Sequence, residues 1–410
     1  MQAREVLITG IGVISPIGLN RAELLSSLLA SKSGVSLWES PLLEKTFPVG
    51  RVDRQFHDAF PLSERPYLDR CSQMAIIAAR LAMEEAGISD FGGCGQRAGL
   101  YYGTVRGGIQ TELGWAKQFY VDGKQTAKPY VVMGCMLNAA AAQISIRHQI
   151  RGPVMTHSSA CSSSGVAIGE AYRAIRQGHL DVAVAGGAEA TLIAEFLSGW
   201  DGLHALAKPD ATDVSRSCKP FSLERSGLVL SEGAVFFVLE SREHAEQRRV
   251  KAYCQLAGYG IASDAHHIGS PHPSGQVAAM QSALTDAGIK PDELGYINAH
   301  ATATHSGDPV EISALNDVLG ESVAAVPISS TKSIHGHMLG AASAMELAVT
   351  VLAVTESFLP ATAHLDKPDP ACDVCHVANI PIMGRKIDKA MSFSAGFGGT
   401  NVALVISSLS

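Results

Sequence analysis

The 410-residue sequence is short of charge. Only 17% of its residues are Asp, Glu, Lys or Arg, and the acidic ones prevail to give a net charge of −7. Its densest basic stretch, Arg248-Arg249-Val250-Lys251, suits a solvated helix end and not the broad basic face that nucleic acid requires. No apolar run reaches the roughly eighteen residues of a membrane span, and Met1 to Glu5 lead into a strand pattern without an apolar signal core. A cytoplasmic protein with no membrane span and no nucleic-acid partner is the expectation. The eight cysteines, at 71, 94, 135, 161, 218, 254, 372 and 375, are too scattered for a disulfide framework. Cys372-Asp373-Val374-Cys375-His376 matches a haem-attachment pattern, but such attachment follows export and no export signal is present. A G-x-S-x-G nucleophile elbow is missing, which disfavours a serine hydrolase. Gly10-x-Gly12-x-x-Ser15 lacks the third glycine of a dinucleotide fingerprint and reads as a tight strand-to-loop turn.

What the chain does contain is apolar and small: 46% hydrophobic residues and 40 glycines. That is enough for two domains with large cores and closely packed elements. Strand patterns at Arg4–Thr9, Arg97–Tyr102, Val154–Ser158, Asp181–Ala185 and Gly233–Glu240 alternate with helical patterns at Asp69–Ala86, Asn138–His148 and Val166–Gln177. Residues 190–230 read as irregular. A polar helix at Arg242–Arg249 marks a boundary between halves 1–250 and 251–410. The second half repeats the scheme, with strands at Ala252–Gly260, Leu294–Ala299, Pro327–Ser330, Ala390–Ser394 and Val402–Ser407, and helices at Val277–Ala287, Val310–Leu319 and Gly340–Thr355. The alternation implies parallel sheets covered by helices and a duplicated α/β unit, with ligands bound at the carboxyl ends of strands. Cys161, His300 and His337 each follow such an end.

Cys161 lies in Ser159-Ala160-Cys161-Ser162-Ser163-Ser164-Gly165, just before the Val166–Gln177 helix. Small neighbours leave the sulfur approachable, and free amides with the helix dipole favour a thiolate. Half-ionising an ordinary thiol, of pKa about 8.5, at pH 7 needs roughly 2 kcal/mol. An anionic sulfur at rest is therefore expected.

From Thr9-Gly10-Ile11-Gly12 through Ser159-Ala160-Cys161, Gly186-Gly187-Ala188-Glu189, Asn298-Ala299-His300-Ala301-Thr302-Ala303-Thr304, Ser330-Thr331-Lys332-Ser333, Gly336-His337 and Gly396-Phe397-Gly398-Gly399-Thr400-Asn401, the chain resembles the elongating β-ketoacyl-(acyl-carrier-protein) synthases of the thiolase superfamily. The resemblance implies a five-layered αβαβα fold of two duplicated halves, acyl carrier protein as partner, and substrates carried on phosphopantetheine without a further cofactor. It implies a homodimer, or a heterodimer with a chain-length-factor-like paralogue. Residue by residue it makes Cys161 the acyl-accepting nucleophile, and His300 and His337 neutral N–H donors to a decarboxylating malonyl thioester. Lys332 and Glu346 support the histidines. The backbone N–H groups of Cys161 and Phe397 form the oxyanion hole, and Thr302 and Thr304 hold the phosphopantetheine arm. No metal is implied: His335, His337 and His305 imitate a cluster without evident further ligands. Asp308 and Glu311 orient loops.

The departures concern substrate. Position 301 is Ala where many members carry Gly, and position 395 is Ala where fatty-acid enzymes usually carry Phe. Arg106 stands where those enzymes line the acyl pocket with a small or aliphatic residue, and Tyr67–Gln73 looks more like ketosynthases of dissociated polyketide systems. A specialised polyketide or aryl-polyene ketosynthase is expected, ahead of a housekeeping fatty-acid elongation synthase. A noncatalytic chain-length-factor-like subunit is opposed by Cys161, and a degradative thiolase by the Gly-His337 context. Arg65, Arg70 and Lys208 are candidates for the basic patch that an acidic carrier would need.

Overall fold

The structure, a computed structural model, describes residues 3–409. Ten strands form one mixed sheet: β1 (Val6–Ile14), β2 (Ala98–Gly103), β3 (Val154–His157), β4 (Val182–Glu189), β5 (Gly233–Ser241), β6 (Cys254–Ser263), β7 (Tyr296–Asn298), β8 (Ile328–Ser329), β9 (Lys389–Ala395) and β10 (Thr400–Ser407). Across the sheet their order is β8-β7-β9-β10-β6-β1-β5-β4-β2-β3. The first five strands are thus ordered 3-2-4-5-1 from their outer edge, and the second five repeat that order as 8-7-9-10-6. The halves meet where β1 and β6 pair over Val6 to Ile8. The expectation of parallel sheets needs correction. In each half three strands run parallel (β3-β2-β4 and β8-β7-β9), while the rest are antiparallel. The short turn between β9 and β10 allows no crossover helix, so those two strands must be antiparallel.

The longer helices that frame the sheet and the site include α1 (Arg70–Glu85), α2 (Ile109–Tyr120), α3 (Ala139–His148), α4 (Ser163–Arg176), α5 (Ala194–Gly202), α6 (Pro273–Ala287), α7 (Gly307–Leu319) and α8 (Ala342–Thr355). Side chains alternate between faces along each strand. In β5, Ala234, Phe236 and Val238 pack with Met74, Ala78 and Ile144 of α1 and α3, whereas Val235, Phe237 and Leu239 face α4 and α8. In β10, Val402, Leu404 and Ile406 face the same central pair, while Ala403 and Val405 face Met280 and Leu315 of α6 and α7. The five layers are therefore outer helices, half-sheet, α4 with α8, half-sheet and outer helices. Thirteen of the fourteen residues of α8 are buried, as a helix apolar on all sides requires.

Gly10 and Gly12 lie inside β1 and not in a turn. A Cβ on either would come within 2.0 Å or less of the carbonyl oxygens of Ala82 and Ala78, so both glycines serve the close approach of α1. The span 190–230, expected to be irregular, contains α5, where only Ala194 and Leu197 are buried and the apolar periodicity is correspondingly weak. No helix among the described residues is long and apolar enough to cross a membrane.

Candidate active site

Three strand ends converge. β3 ends at His157, and the chain turns through Ala160, held in the left-handed region at φ 51°, to deliver Cys161 just ahead of α4. Gly103 and Gly187, paired across β2 and β4, let the start of α4 press on the sheet, since a Cβ on Gly103 would lie 2.3 Å from the Ser164 nitrogen. His300 follows β7, and His337 follows β8 after the short helix Lys332–His335. Cys161 and His337 thus follow the corresponding edge strands, β3 and β8, of the two halves.

The reactive atoms of Cys161, His300 and His337 lie within 4.8 Å of one another, and among the described residues this is the one trio of potential metal ligands so arranged. His337 Nε2 is 2.9 Å from Cys161 Sγ, and the His300 and His337 rings stand edge to face with centroids 5.4 Å apart. Lys332 donates from Nζ to His300 Nδ1 at 3.4 Å and to the His300 carbonyl, so the remaining imidazole proton of His300 sits on Nε2. Fully buried, Lys332 forms an ion pair with Glu346 of α8, whose other carboxylate oxygen accepts from the Ser394 hydroxyl at 2.9 Å. Glu311 of α7 accepts the N–H groups of His300 and Ala301, each at 2.7 Å, and fixes that loop as expected. Asp308 does likewise for Phe221 at 2.9 Å. His335 is turned away and is held by Thr331 and the Gly336 carbonyl.

Burial, Lys332 and His337 together hold His300 well below the ordinary imidazole range; burial, Lys332 and His335 do the same for His337. Both rings are neutral at physiological pH, as the donor role requires. Cys161 departs from expectation. Burial pushes its thiol up to about 12, against the pull of Lys332 and of the backbone N–H groups of Phe397 and of Cys161 itself. Loss of water outweighs the helix end here, and the resting site is a neutral thiol beside a neutral imidazole. The two N–H groups that reach this sulfur are the pair expected for the oxyanion hole.

A cavity of about 350 Å³ opens from the trio to the surface. Thr302 and Thr304, with hydroxyls 3.3 Å apart, line it together with Trp200 and Phe397, whose ring centroids are 5.4 Å apart. Arg106, expected at an acyl tunnel of the dimer interface, is not among the residues that line this cavity of the single chain. Its side chain is exposed and lies 3.9 Å from Glu112 of the following helix, while only its backbone N–H turns inward, to Glu189. Arg70 is unsuited to a carrier, being held in a buried bidentate pair with Glu232 at 2.8 Å, and Arg65 is engaged with Asp58 and the Phe60 carbonyl. Lys208 is exposed beside Ser226, a residue of the cavity mouth. The sequence motif Gly186-Gly187-Ala188-Glu189 gave Glu189 no role, because its hydrogen-bond partners lie in two distant segments.

A thiolase-like fold with a cysteine and two neutral histidines at its strand ends defines a cysteine-dependent acyltransferase of the carbon–carbon bond-forming kind. Residues 3–245 match the N-terminal domain of β-ketoacyl synthase, and residues 253–366 match its C-terminal domain. The chain belongs to the β-ketoacyl synthase family. It is 37% identical over 415 residues to nodulation protein E of Rhizobium meliloti (98% of each chain), and 35% identical over 420 residues to 3-oxoacyl-[acyl-carrier-protein] synthase 2 of Coxiella burnetii (99% of each). Among solved structures, the ishigamide ketosynthase/chain length factor superposes with a TM-score of 0.91 at 28% identity, covering 100% of both chains. A type II polyketide acyl-carrier protein in complex with its ketosynthase superposes with a TM-score of 0.90 at 30% identity, again covering 100% of both.

Proposed function

We propose that the protein elongates a specialised polyketide or aryl-polyene chain on an acyl carrier protein, by decarboxylative condensation at Cys161. The observation that carries the mechanism is the sulfur at 2.9 Å from a neutral imidazole, with a second neutral imidazole edge-on to it. The incoming acyl thioester is attacked by the Cys161 sulfur. Its proton passes to the departing phosphopantetheine sulfur, which leaves as a thiol, while His337 Nε2–H donates to the Cys161 sulfur, so no charge is stranded in the buried site. In the acyl-enzyme the sulfur is a thioester, and His337 Nε2–H is free to turn to the malonyl carbonyl alongside His300 Nε2–H. As carbon dioxide leaves, these donors hold the enolate oxygen, and the enolate carbon attacks the Cys161 thioester. The N–H groups of Cys161 and Phe397 meet the oxyanion that forms there. On its collapse the carbon–sulfur bond breaks, releasing the β-ketoacyl-carrier product and a Cys161 thiolate that takes up a proton from solvent.

Lys332 and Glu346 orient the histidines, Thr302 and Thr304 hold the arm, and an acidic carrier docks at the mouth near Lys208. This scheme draws on no metal or further cofactor. Residues 1–250 supply the nucleophile and 251–410 the histidines. The protein works in the cytoplasm as a dimer, with itself or with a chain-length-factor-like paralogue, through the face around edge strand β3, where Val154 and Met155 are exposed. Trp200 and Phe397 favour the specialised substrate, because flat conjugated chains stack on aromatic faces. Housekeeping fatty-acid elongation is the second reading, favoured by the Coxiella burnetii relative.

The test is intact-mass measurement of acylation with saturated, polyenoyl and aryl carrier thioesters, with and without a chain-length-factor-like partner and with Cys161→Ala as control. Preferential loading of conjugated chains supports the proposal, and preferential loading of saturated ones supports the second reading. Loading that persists in the alanine variant removes the nucleophile assignment.

A further inference from the structure

Glu189, the last residue of β4, is fully buried, and among the described residues no charged partner offsets its burial. Its Oε2 accepts the N–H groups of Val105 at 2.7 Å and Gly340 at 3.2 Å. Its Oε1 accepts the N–H of Arg106 at 3.1 Å and the hydroxyl of Thr104 at 3.4 Å. The Thr104 oxygen in turn accepts the N–H of Gly107 at 3.1 Å. One carboxylate therefore ties together the loop between β2 and α2 and the segment that runs from His337 into α8. That segment needs holding, because Leu339 sits at φ 45°, where a non-glycine backbone is strained. It is also crowded: a Cβ on Gly340 would stand 2.6 Å from Glu189 Oε2. The loop's Val105 packs in the same apolar cluster as Cys161 and Leu339.

We propose that Glu189, in its carboxylate form, is a positioning residue for the condensation, setting the His337 segment and the Val105 wall as one unit. The proposal rests on the ketosynthase reading. Four donors converge on two oxygens, so a neutral side chain of the same shape cannot satisfy them all: an amide nitrogen would face at least one N–H. A displacement of His337 by a fraction of an ångström weakens the donor that meets the enolate, while carrier binding at Thr302 and Thr304, which lie outside the segments that Glu189 ties together, is left alone.

Burial raises the Glu189 carboxyl to about 7 against its hydrogen bonds. The titratable groups facing it are Cys71 of α1 and Tyr102 of β2, both pushed well up by burial, with Asp69 beyond Cys71. Packed β5 presents Gly233, the turn before α8 presents Gly340, and the exposed Arg106 side chain turns to Glu112. As pH falls from 8 to 6, Glu189 takes up a proton, loses acceptor capacity and loosens its hold.

The experiment compares malonyl-carrier decarboxylation by the full-length wild type and Glu189→Gln between pH 6 and 8.5, with Cys161 self-acylation followed by intact mass. Expected for the variant is a kcat about tenfold lower at pH 8, a KM for malonyl-carrier within about twofold, and loss of the acid limb near pH 7. Glu311, pushed up to about 8 behind His300, titrates equally in both proteins, so the difference between profiles carries the result. If the variant fails to fold, Thr104→Val serves instead. Removing that donor shifts the limb upward by weakening the hold on the carboxylate, and an unmoved limb overturns the proposal. Unchanged kcat and an intact acid limb in a folded Glu189→Gln that still self-acylates would overturn it too, leaving the ketosynthase reading standing. A wild type that neither acylates nor decarboxylates removes that reading itself.

Discussion

Cys161 Sγ and His337 Nε2 lie 2.9 Å apart although 176 positions separate them in the chain. Both groups are pushed towards their neutral forms, the thiol up to about 12 and the imidazole well below its usual range. A raised thiol pKa leaves the thiolate scarce through neutral pH, its fraction growing about tenfold per pH unit until the pKa is reached. Alkylation of Cys161 by iodoacetamide should therefore keep rising between pH 6.5 and 9.5. A plateau near pH 7 to 8, read by intact mass, would show that the helix end prevails over burial.

In the proposed scheme His300 donates to the enolate and makes no hydrogen bond to the sulfur, which separates the two half-reactions. His300→Ala should leave self-acylation of Cys161 within a few-fold of wild type while decarboxylation falls about 10²–10³-fold, the usual cost of one lost oxyanion donor, about 2.7–4 kcal/mol. Equal losses in the two steps would place His300 in acyl transfer as well.

Much of this site was legible because motif order gave the residues and the alternation of strands and helices gave their common side. Cys161, His300, His337, Lys332 and Glu346 come together as that reading implied. What was not legible depends on packing. Gly10 and Gly12 look like a turn until α1 is seen resting on them. Helix α2 buries only Ile109, and α5 only Ala194 and Leu197, so neither carries a strong apolar stripe. Arg70 reads as a surface cation, and only folding brings Glu232 to it. The protonation of Cys161 turns on the balance of burial against a dipole, which composition does not give. Glu189 binds backbone N–H groups, and these leave no side-chain signature in the sequence.

Lys332 and Glu346 form an ion pair with no solvent exposure in the layer between the two half-sheets. Removing one partner strands the other charge, at a cost of about 3–5 kcal/mol, whereas removing both can be nearly neutral. Lys332→Met and Glu346→Leu should each lower the melting temperature by many degrees, and the double variant should recover most of the loss while staying poor in decarboxylation. A double variant as unstable as the sum of the singles would mean that the pair is not coupled.

Trp200 sits between Phe196 and Phe397, at centroid distances of 6.2 and 5.4 Å, so a ladder of three rings borders the apolar cluster that contains Cys161. A saturated chain gains from such a wall only by the area it buries, which Leu supplies nearly as well as Trp. A conjugated chain gains in addition from ring–π contact, about 0.5–1.5 kcal/mol for an aromatic pair, or roughly 2- to 13-fold. Trp200→Leu should lower kcat/KM for aryl and polyenoyl carrier thioesters by about that factor while changing saturated ones of equal length less than twofold. Arg106→Ile, which alters a side chain outside the cavity, should change neither in a homodimer. The alternative in which Arg106 selects the chain predicts the reverse: unchanged discrimination in Trp200→Leu and altered discrimination in Arg106→Ile. Competition between equal amounts of a saturated and a polyenoyl thioester for the one sulfur, read by intact mass, measures the ratio directly and is insensitive to overall loss of activity in either variant.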